Sequence, residues 1–239
     1  MTLDLCITLR CNAFCPNCIE LCNRQSETGL DYSESDMTMG QIDNLIHQVK
    51  RVGMGHITIT GGEPLLHPDI KAITRKVKGL KDRGYIDNFT INSNMILSAP
   101  PELAPHIINY SLPKNNHKKH HVSLLHPDDL GGQAQTYREC THYRKETIVV
   151  TYQGCSICCA GDAYIRLFCM EDLILDYLPG WLGDFPLDEM DRICRHCPFG
   201  NEKLIPLERD RGNPISAIYA EEADKNWNGR HISKRFPEA

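Results

Sequence analysis

The sequence predicts an α/β protein: a partial, incomplete parallel β/α barrel followed by a small C-terminal unit built as a β-hairpin plus a helix. Three observations predict it. Up to residue 91 the apolar residues switch between a two-residue and a 3.6-residue period in the order strand, helix, strand, helix, strand, which means βαβ units and a parallel sheet. Beyond residue 95 helical periodicity is poor and the remaining stretch is short, so the barrel stays open. Finally, the twelve cysteines fall in two groups, five within residues 6–22 and seven within 140–197, with none in between.

Residues 3–9 alternate apolar and polar as a strand does, and residues 23–36 are polar and loop-like. Thr38 and Gln41 have the spacing of a capping box. Ile42, Leu45, Ile46, Val49 and Val52 then make 39–52 an amphipathic helix. His56 to Thr60 is a second strand, ending at Gly61-Gly62. Pro68 suits the first turn of a helix whose stripe is Ile70, Ile73, Val77 and Leu80, with Gly84 as its stop. Ile86 to Ile91 is the third strand, and Ile107–Leu112 and His121–Leu125 are candidates for two more. Thr147 to Tyr152 is again β-rich. Gly154 and three cysteines follow, then Ala163–Phe168 as a further strand, a pattern like a hairpin carrying metal ligands. Residues 187–197 read as a short helix, and the tail from 208 is polar without a period. The expected division is 1–136 for the barrel, 137–207 for the cysteine-bearing unit and 208–239 for the tail.

Composition narrows the function classes. The net charge of −5 provides no global field attracting nucleic acid or acidic membranes. The basic stretches Lys71–Arg83 and Lys114–His121 read as a solvated helix face and a loop. No apolar run is long enough to span a bilayer, and the N-terminus lacks the pattern of a signal peptide, so a cytoplasmic location is expected. In a reducing compartment so many cysteines argue for metal binding or catalysis rather than disulfides.

Cys11-Asn-Ala-Phe-Cys15-Pro-Asn-Cys18 places three thiolates on one tight loop after the first strand. Three thiolates can hold three irons of a cubane and leave the fourth open; soft thiolates suit zinc as well, although structural zinc sites usually close with four ligands. Thr60-Gly61-Gly62-Glu63-Pro64 ends the second strand, where parallel α/β sheets bind ligands. Ile91-Asn92-Ser93-Asn94 ends the third. The C-x3-C-x2-C spacing and the GGEP sequence resemble the radical S-adenosylmethionine (SAM) superfamily. That resemblance implies a [4Fe–4S] cluster on Cys11, Cys15 and Cys18. It also implies SAM held by Gly61, Gly62, Glu63 and Pro64, with Asn92, Ser93 and Asn94 as further contacts. One departure stands out: Asn17 occupies the position before the third cysteine, where relatives often carry an aromatic residue, and Phe14 precedes the second cysteine instead. No clear match exists to the later family motif that flanks the adenine.

Cys140, thirteen residues, Gly154, four residues, Cys159, and then Cys194-x-x-Cys197 resemble the SPASM and Twitch units appended to such barrels. With no cysteine after Cys197, the shorter Twitch form fits better. The resemblance implies a second, auxiliary [4Fe–4S] cluster on Cys140, Cys159, Cys194 and Cys197. Cys155 and Cys158 are alternates, and a four-cysteine zinc site is the competing reading. Cys6, Cys22 and Cys169 have no motif partner and read as buried thiols.

The function so implied is an oxidoreductase or modifying enzyme that cleaves SAM to a 5′-deoxyadenosyl radical and abstracts hydrogen from a substrate C–H bond. Dehydrogenation or epimerisation of a small molecule is favoured, with the auxiliary cluster accepting or donating an electron and a flavodoxin- or ferredoxin-like donor. Because Cys11 lies so near the start, no peptide-recognition domain is expected ahead of it. A peptide or protein substrate, and a non-enzymatic zinc or iron–sulfur module, are the alternatives. Glu20, His126, Asp128 and Tyr137 are all candidates for a general base, and the sequence does not choose among them.

Overall fold

A computed structural model describes residues 1–13, 18–22, 25–109, 126–130, 136–140, 147–198, 215–228 and 235–239. Strand β1 (Thr2–Cys6) leads through α1 (Gln25–Thr28) to helix α2 (Met39–Val52), then β2 (Met54–Thr60), α3 (Ile70–Asp82), β3 (Ile86–Ser93) and the short β4 (Ile107–Asn109). The chain continues as β5 (Thr147–Thr151), β6 (Gly154–Ser156), α4 (Cys159–Leu167), α5 (Leu187–Cys194) and α6 (Ala217–Trp227). Six strands form one sheet in the order β4-β3-β2-β1-β5-β6. All neighbours are parallel except the β5–β6 hairpin. This is the partial β/α barrel that the alternating periods predict.

The expected capping box forms, whereas Pro68 lies just ahead of α3, whose N-cap is Asp69, rather than in its first turn. Thr38 Oγ1 accepts from Gln41 N at 3.1 Å while Gln41 Oε1 accepts from Thr38 N at 3.0 Å, so two orphan donors of α2 are satisfied reciprocally. Leu3, Leu5, Ile7 and Leu9 join Ile42, Leu45 and Val49 of α2 and Ile73, Val77 and Leu80 of α3 in one buried core. The alternate residues of the strands are polar. Asp4, Thr58 and Thr90 lie level with one another in register, as do Cys6 and Thr60. Apolar-out and polar-in alternation therefore leaves a polar face on the concave side of the sheet.

Three expectations change. Ala163–Phe168 is not a strand: residues 163–167 belong to helix α4 and Phe168 is its C-cap. Every residue of α4 from Ala160 to Leu167 is buried, so no polar face marks a helical period in the sequence. The tail carries helix α6, capped by Ser216 Oγ, which accepts from Ile218 N at 3.3 Å. Its buried face is only Tyr219, Ala223 and Asn226, too sparse to register as a stripe. Lastly, β5 pairs in parallel with β1, Thr2 opposite Thr147 through Leu5 opposite Val150, so residues after 146 extend the same sheet as the barrel strands. The candidate strand His121–Leu125 and the whole Lys114–His121 stretch lie outside the described residues, as do residues 110–112 of the other candidate.

The carboxyl end of the chain is fastened to the start of α2. Phe236 is fully buried, and its backbone N donates to Tyr152 O at 2.8 Å. Gln41 Nε2 donates to both Phe236 O (2.7 Å) and Tyr152 O (3.0 Å). No helix among the described residues is long and apolar enough to cross a membrane.

Candidate functional site

The turn after β2 is built against the segment that leaves β1. Gly62 N donates to Thr8 O at 2.8 Å and Glu63 N to Arg10 O at 2.9 Å. Gly61 has φ +147°, and a Cβ there would stand 2.1 Å from Thr8 O; at Gly62 it would stand 2.3 Å from Arg10 O. Both glycines are thus required so that this turn can lie on the backbone entering the cysteine loop. Pro64 begins a short 3-10 turn, Pro64–Leu66, whose N-cap is Glu63.

Glu63 is fully buried, and its carboxylate joins two strand ends. Oε1 accepts from Leu65 N (3.0 Å) and Ser93 Oγ (2.9 Å), and Oε2 accepts from Asn94 N (2.8 Å). Asn94 Nδ2 in turn donates to Asn12 Oδ1 (2.9 Å) and reaches Cys11 Sγ at 3.8 Å. The ends of β2 and β3 and the cysteine loop therefore form one hydrogen-bonded unit. Within it Ser93 is buried and gives its hydroxyl to Glu63, whereas Asn92 is half-buried and half-open on the concave side.

Cys11 and Cys18 are both half-buried in this loop. Cys15, Phe14 and Asn17 lie outside the described residues. Backbone N–H groups point at the two thiols: Ala13 N at Cys11 Sγ (3.5 Å) and Cys22 N at Cys18 Sγ (3.3 Å). The Cys18 thiol is pulled down to about 6, first by a hydrogen bond from the Cys22 side chain and, against burial, by backbone donors and the Arg166 charge. Cys22, as the donor of that pair, is pushed up. A thiol held as thiolate near neutrality, with N–H groups aimed at sulfur, has the donor chemistry an iron–sulfur cluster requires.

The second cysteine group separates its members. Burial pushes the Cys158 thiol up, and the charges of Cys197, Cys194 and Cys140 add to this; burial and then Cys140 push Cys194 up to about 12. Cys158 is the N-cap of α4, with Sγ accepting from Gly161 N at 3.1 Å. Cys159, one residue on, is pushed up by burial and then by the charges of Glu20, Cys158 and Asp4. Cys155 sits on β6 opposite Val150 and is buried in the core; burial pushes its thiol up. Among the described residues no three His, Cys, Asp or Glu side chains converge as a single-ion site.

The candidate bases sit in different surroundings. Glu20 is buried against Arg166, and Tyr137 is buried. His126 Nε2 and His196 Nδ1 are 3.0 Å apart, and both histidines line a cavity of about 460 Å³ with Asp128, Asp191 and Arg195. Two side chains that the sequence did not single out, Asn12 and Arg166, are drawn into the site, together with Cys22, which the sequence reads as a buried thiol without a partner and which engages Cys18. Only Cys22 left a signal, its four-residue spacing from Cys18.

A family model for the radical SAM superfamily matches residues 5–160, well over half of the chain. The chain belongs to the radical SAM superfamily. Its chemistry is therefore SAM-dependent and radical, with a [4Fe–4S] cluster as the family's cofactor. The probable GTP 3′,8-cyclase of Methanothermobacter thermautotrophicus is 34% identical over 93 residues, 38% of this chain and 28% of the relative. The GTP 3′,8-cyclase of Lactiplantibacillus plantarum is 33% identical over 97 residues, 40% of this chain and 26% of the relative. The SAM-dependent nucleotide dehydratase of Selenomonas ruminantium is 32% identical over 105 residues, 42% of this chain and 34% of the relative. The matched segments thus span about a quarter to a third of the length of these relatives.

Proposed function

We propose that this radical SAM enzyme abstracts hydrogen from a C–H bond of a small molecule, in a dehydrogenation or epimerisation assisted by a second, auxiliary [4Fe–4S] cluster. When bound, the first cluster and SAM supply the 5′-deoxyadenosyl radical. In this reading Cys11, Cys15 and Cys18 hold that cluster. The turn of Gly61, Gly62, Glu63 and Pro64 and the half-open Asn92 face SAM, while Ser93 and Asn94 act by fixing Glu63 and the cysteine loop. The single observation carrying the reading is the Glu63 carboxylate, which locks the ends of β2 and β3 to the loop that bears Cys11.

For the auxiliary cluster the ligand set is Cys140, Cys158, Cys194 and Cys197, with Cys158 in place of the Cys159 that glycine spacing favours. The support is that Cys197, Cys194 and Cys140 are the thiols whose charges act on Cys158, and that Cys158 caps α4 with its Sγ accepting from Gly161 N. A small-molecule substrate is supported by the relatives, whose names specify GTP and nucleotides. The polar concave face, with Asp4, Thr58, Thr90 and Asn92, offers it hydrogen-bonding partners. A flavodoxin- or ferredoxin-like protein completes the scheme as electron donor.

The test is anaerobic reconstitution followed by reduction with SAM. About eight irons per chain, as two cubanes require, and formation of 5′-deoxyadenosine are expected. Deuterated small molecules then show which label moves into 5′-deoxyadenosine. Four irons with undiminished 5′-deoxyadenosine would remove the auxiliary cluster from the scheme; stoichiometric zinc without iron–sulfur absorbance would overturn the scheme entirely. Label transfer from a peptide alone would replace the small-molecule substrate.

A further inference from the structure

Two residues past Cys18, the loop meets a buried cation. The Arg166 side chain is 2% exposed, as is that of Asp162, and Glu20 is 7% exposed. Arg166 Nη2 donates to Glu20 Oε2 at 3.0 Å and to Glu20 O at 3.4 Å. Its Nε donates to Tyr32 Oη at 3.3 Å, and Nη1 is paired with Asp162, one helical turn back. Asp162 Oδ1 is anchored by Ser156 Oγ at 3.0 Å. The same helix is capped by Cys158, so α4 carries a proposed auxiliary ligand at its N-cap and this guanidinium two turns later. A buried charge next to a cluster acts through low dielectric and is little screened by salt. Charge and hydrogen bonding around a cluster are what set its potential.

We propose that Arg166 is a positioning residue for the SAM-site cluster: it pins the loop after Cys18 to α4, and its charge favours the added electron on that cluster. The inference rests on the ligand assignment of Cys11, Cys15 and Cys18 made above. Asp162 moderates the cation, so removing either charge moves the potential in opposite directions.

The experiment is a potentiometric titration of the anaerobically reconstituted holoenzyme, followed by electron paramagnetic resonance. The SAM-site cluster is identified as the one whose signal changes when SAM is added. Arg166→Gln is expected to shift its midpoint to a more negative potential, Asp162→Asn to a less negative one, and Arg166→Lys to restore the wild-type value. If Arg166→Gln does not fold, Arg166→Lys and Asp162→Asn still decide. An unmoved potential in Asp162→Asn, or shifts of one sign in all variants, would overturn the inference while leaving the cluster assignment intact. A wild-type protein with no SAM-responsive cluster overturns the assignment, and the inference with it.

Discussion

Glu63 gives the sharpest test of how the site is held together. Its carboxylate is fully buried and accepts three hydrogen bonds, from Leu65 N, Ser93 Oγ and Asn94 N. Glu63→Gln keeps the shape but turns one oxygen into an NH2 group facing a donor. Losing one charge-assisted bond and opposing two donors costs about 2–3 kcal/mol. Glu63→Ala leaves three donors without their acceptor, at about 1.5 kcal/mol each, or about 4–5 kcal/mol, a third or more of a typical domain's stability. In a chain of this size 1 kcal/mol shifts the melting temperature by roughly 2–4 °C. The Gln variant should therefore melt roughly 5–10 °C below wild type and the Ala variant further still, by circular dichroism of the anaerobically reconstituted protein. Ser93→Ala should cost only about 1–1.5 kcal/mol, because Glu63 retains two donors. In the double mutant with Glu63→Ala the Ser93 effect should vanish. If Glu63→Gln and Glu63→Ala both melt within about 1 °C of wild type, the carboxylate is not the tie between β2, β3 and the cysteine loop.

Other substitutions probe separate parts of the argument. Cys158→Ala should lose about four of eight irons, the content of one cubane, while Cys159→Ala keeps them; colorimetric iron analysis decides, and the reverse pattern would restore the glycine-spacing assignment. Gly61→Ala places a Cβ 2.1 Å from Thr8 O at φ +147° and should destabilise by more than about 3 kcal/mol, read as loss of soluble, iron-loaded protein. Phe236→Ala should cost about 3–5 kcal/mol by emptying a fully buried site, which thermal unfolding would show. Thr38→Ala removes one half of a capping box and should cost about 1 kcal/mol by the same measurement.

Much of this was legible in the sequence, for physical reasons that can be named. The α2 cap, the stripes of α2 and α3 and the three leading strands each obey a local rule, so spacing alone finds them. What escaped depends on tertiary surroundings. Helix α4 is buried on every side, and a helix without a polar face has no amphipathic period to read. Strand β5 reads as a strand either way; only its pairing with β1 shows that it extends the main sheet. Ser93 and Asn92 look equivalent on paper, yet neighbouring strand residues point to opposite faces, which buries Ser93 on Glu63 and leaves Asn92 half-open. Spacing from Gly154 could not separate Cys158 from Cys159 either. The helix starts between them, Cys158 extended at the N-cap and Cys159 in the first turn, so the charges of Cys197, Cys194 and Cys140 act on the first thiol and those of Glu20 and Asp4 on the second.

The placement of β5 explains why the two cysteine groups, distant in sequence, share one electrostatic environment. β1 delivers the chain directly into the Cys11–Cys18 loop. β5 lies beside β1 in parallel register, and the β6 return is only three residues long, so α4 has to begin close to the strand that feeds the first loop. Register bears this out: Ser156 pairs with Val149, which is level with Asp4, and Asp4 is among the groups acting on Cys159. From Cys158 to Arg166 the helix rises roughly 12 Å, which carries a guanidinium to Glu20 without any intervening loop. A short hairpin and a rigid helix thus do what a flexible linker would not. They fix the distance and charge between the two cysteine groups, so a change on α4 is felt in the loop after Cys18.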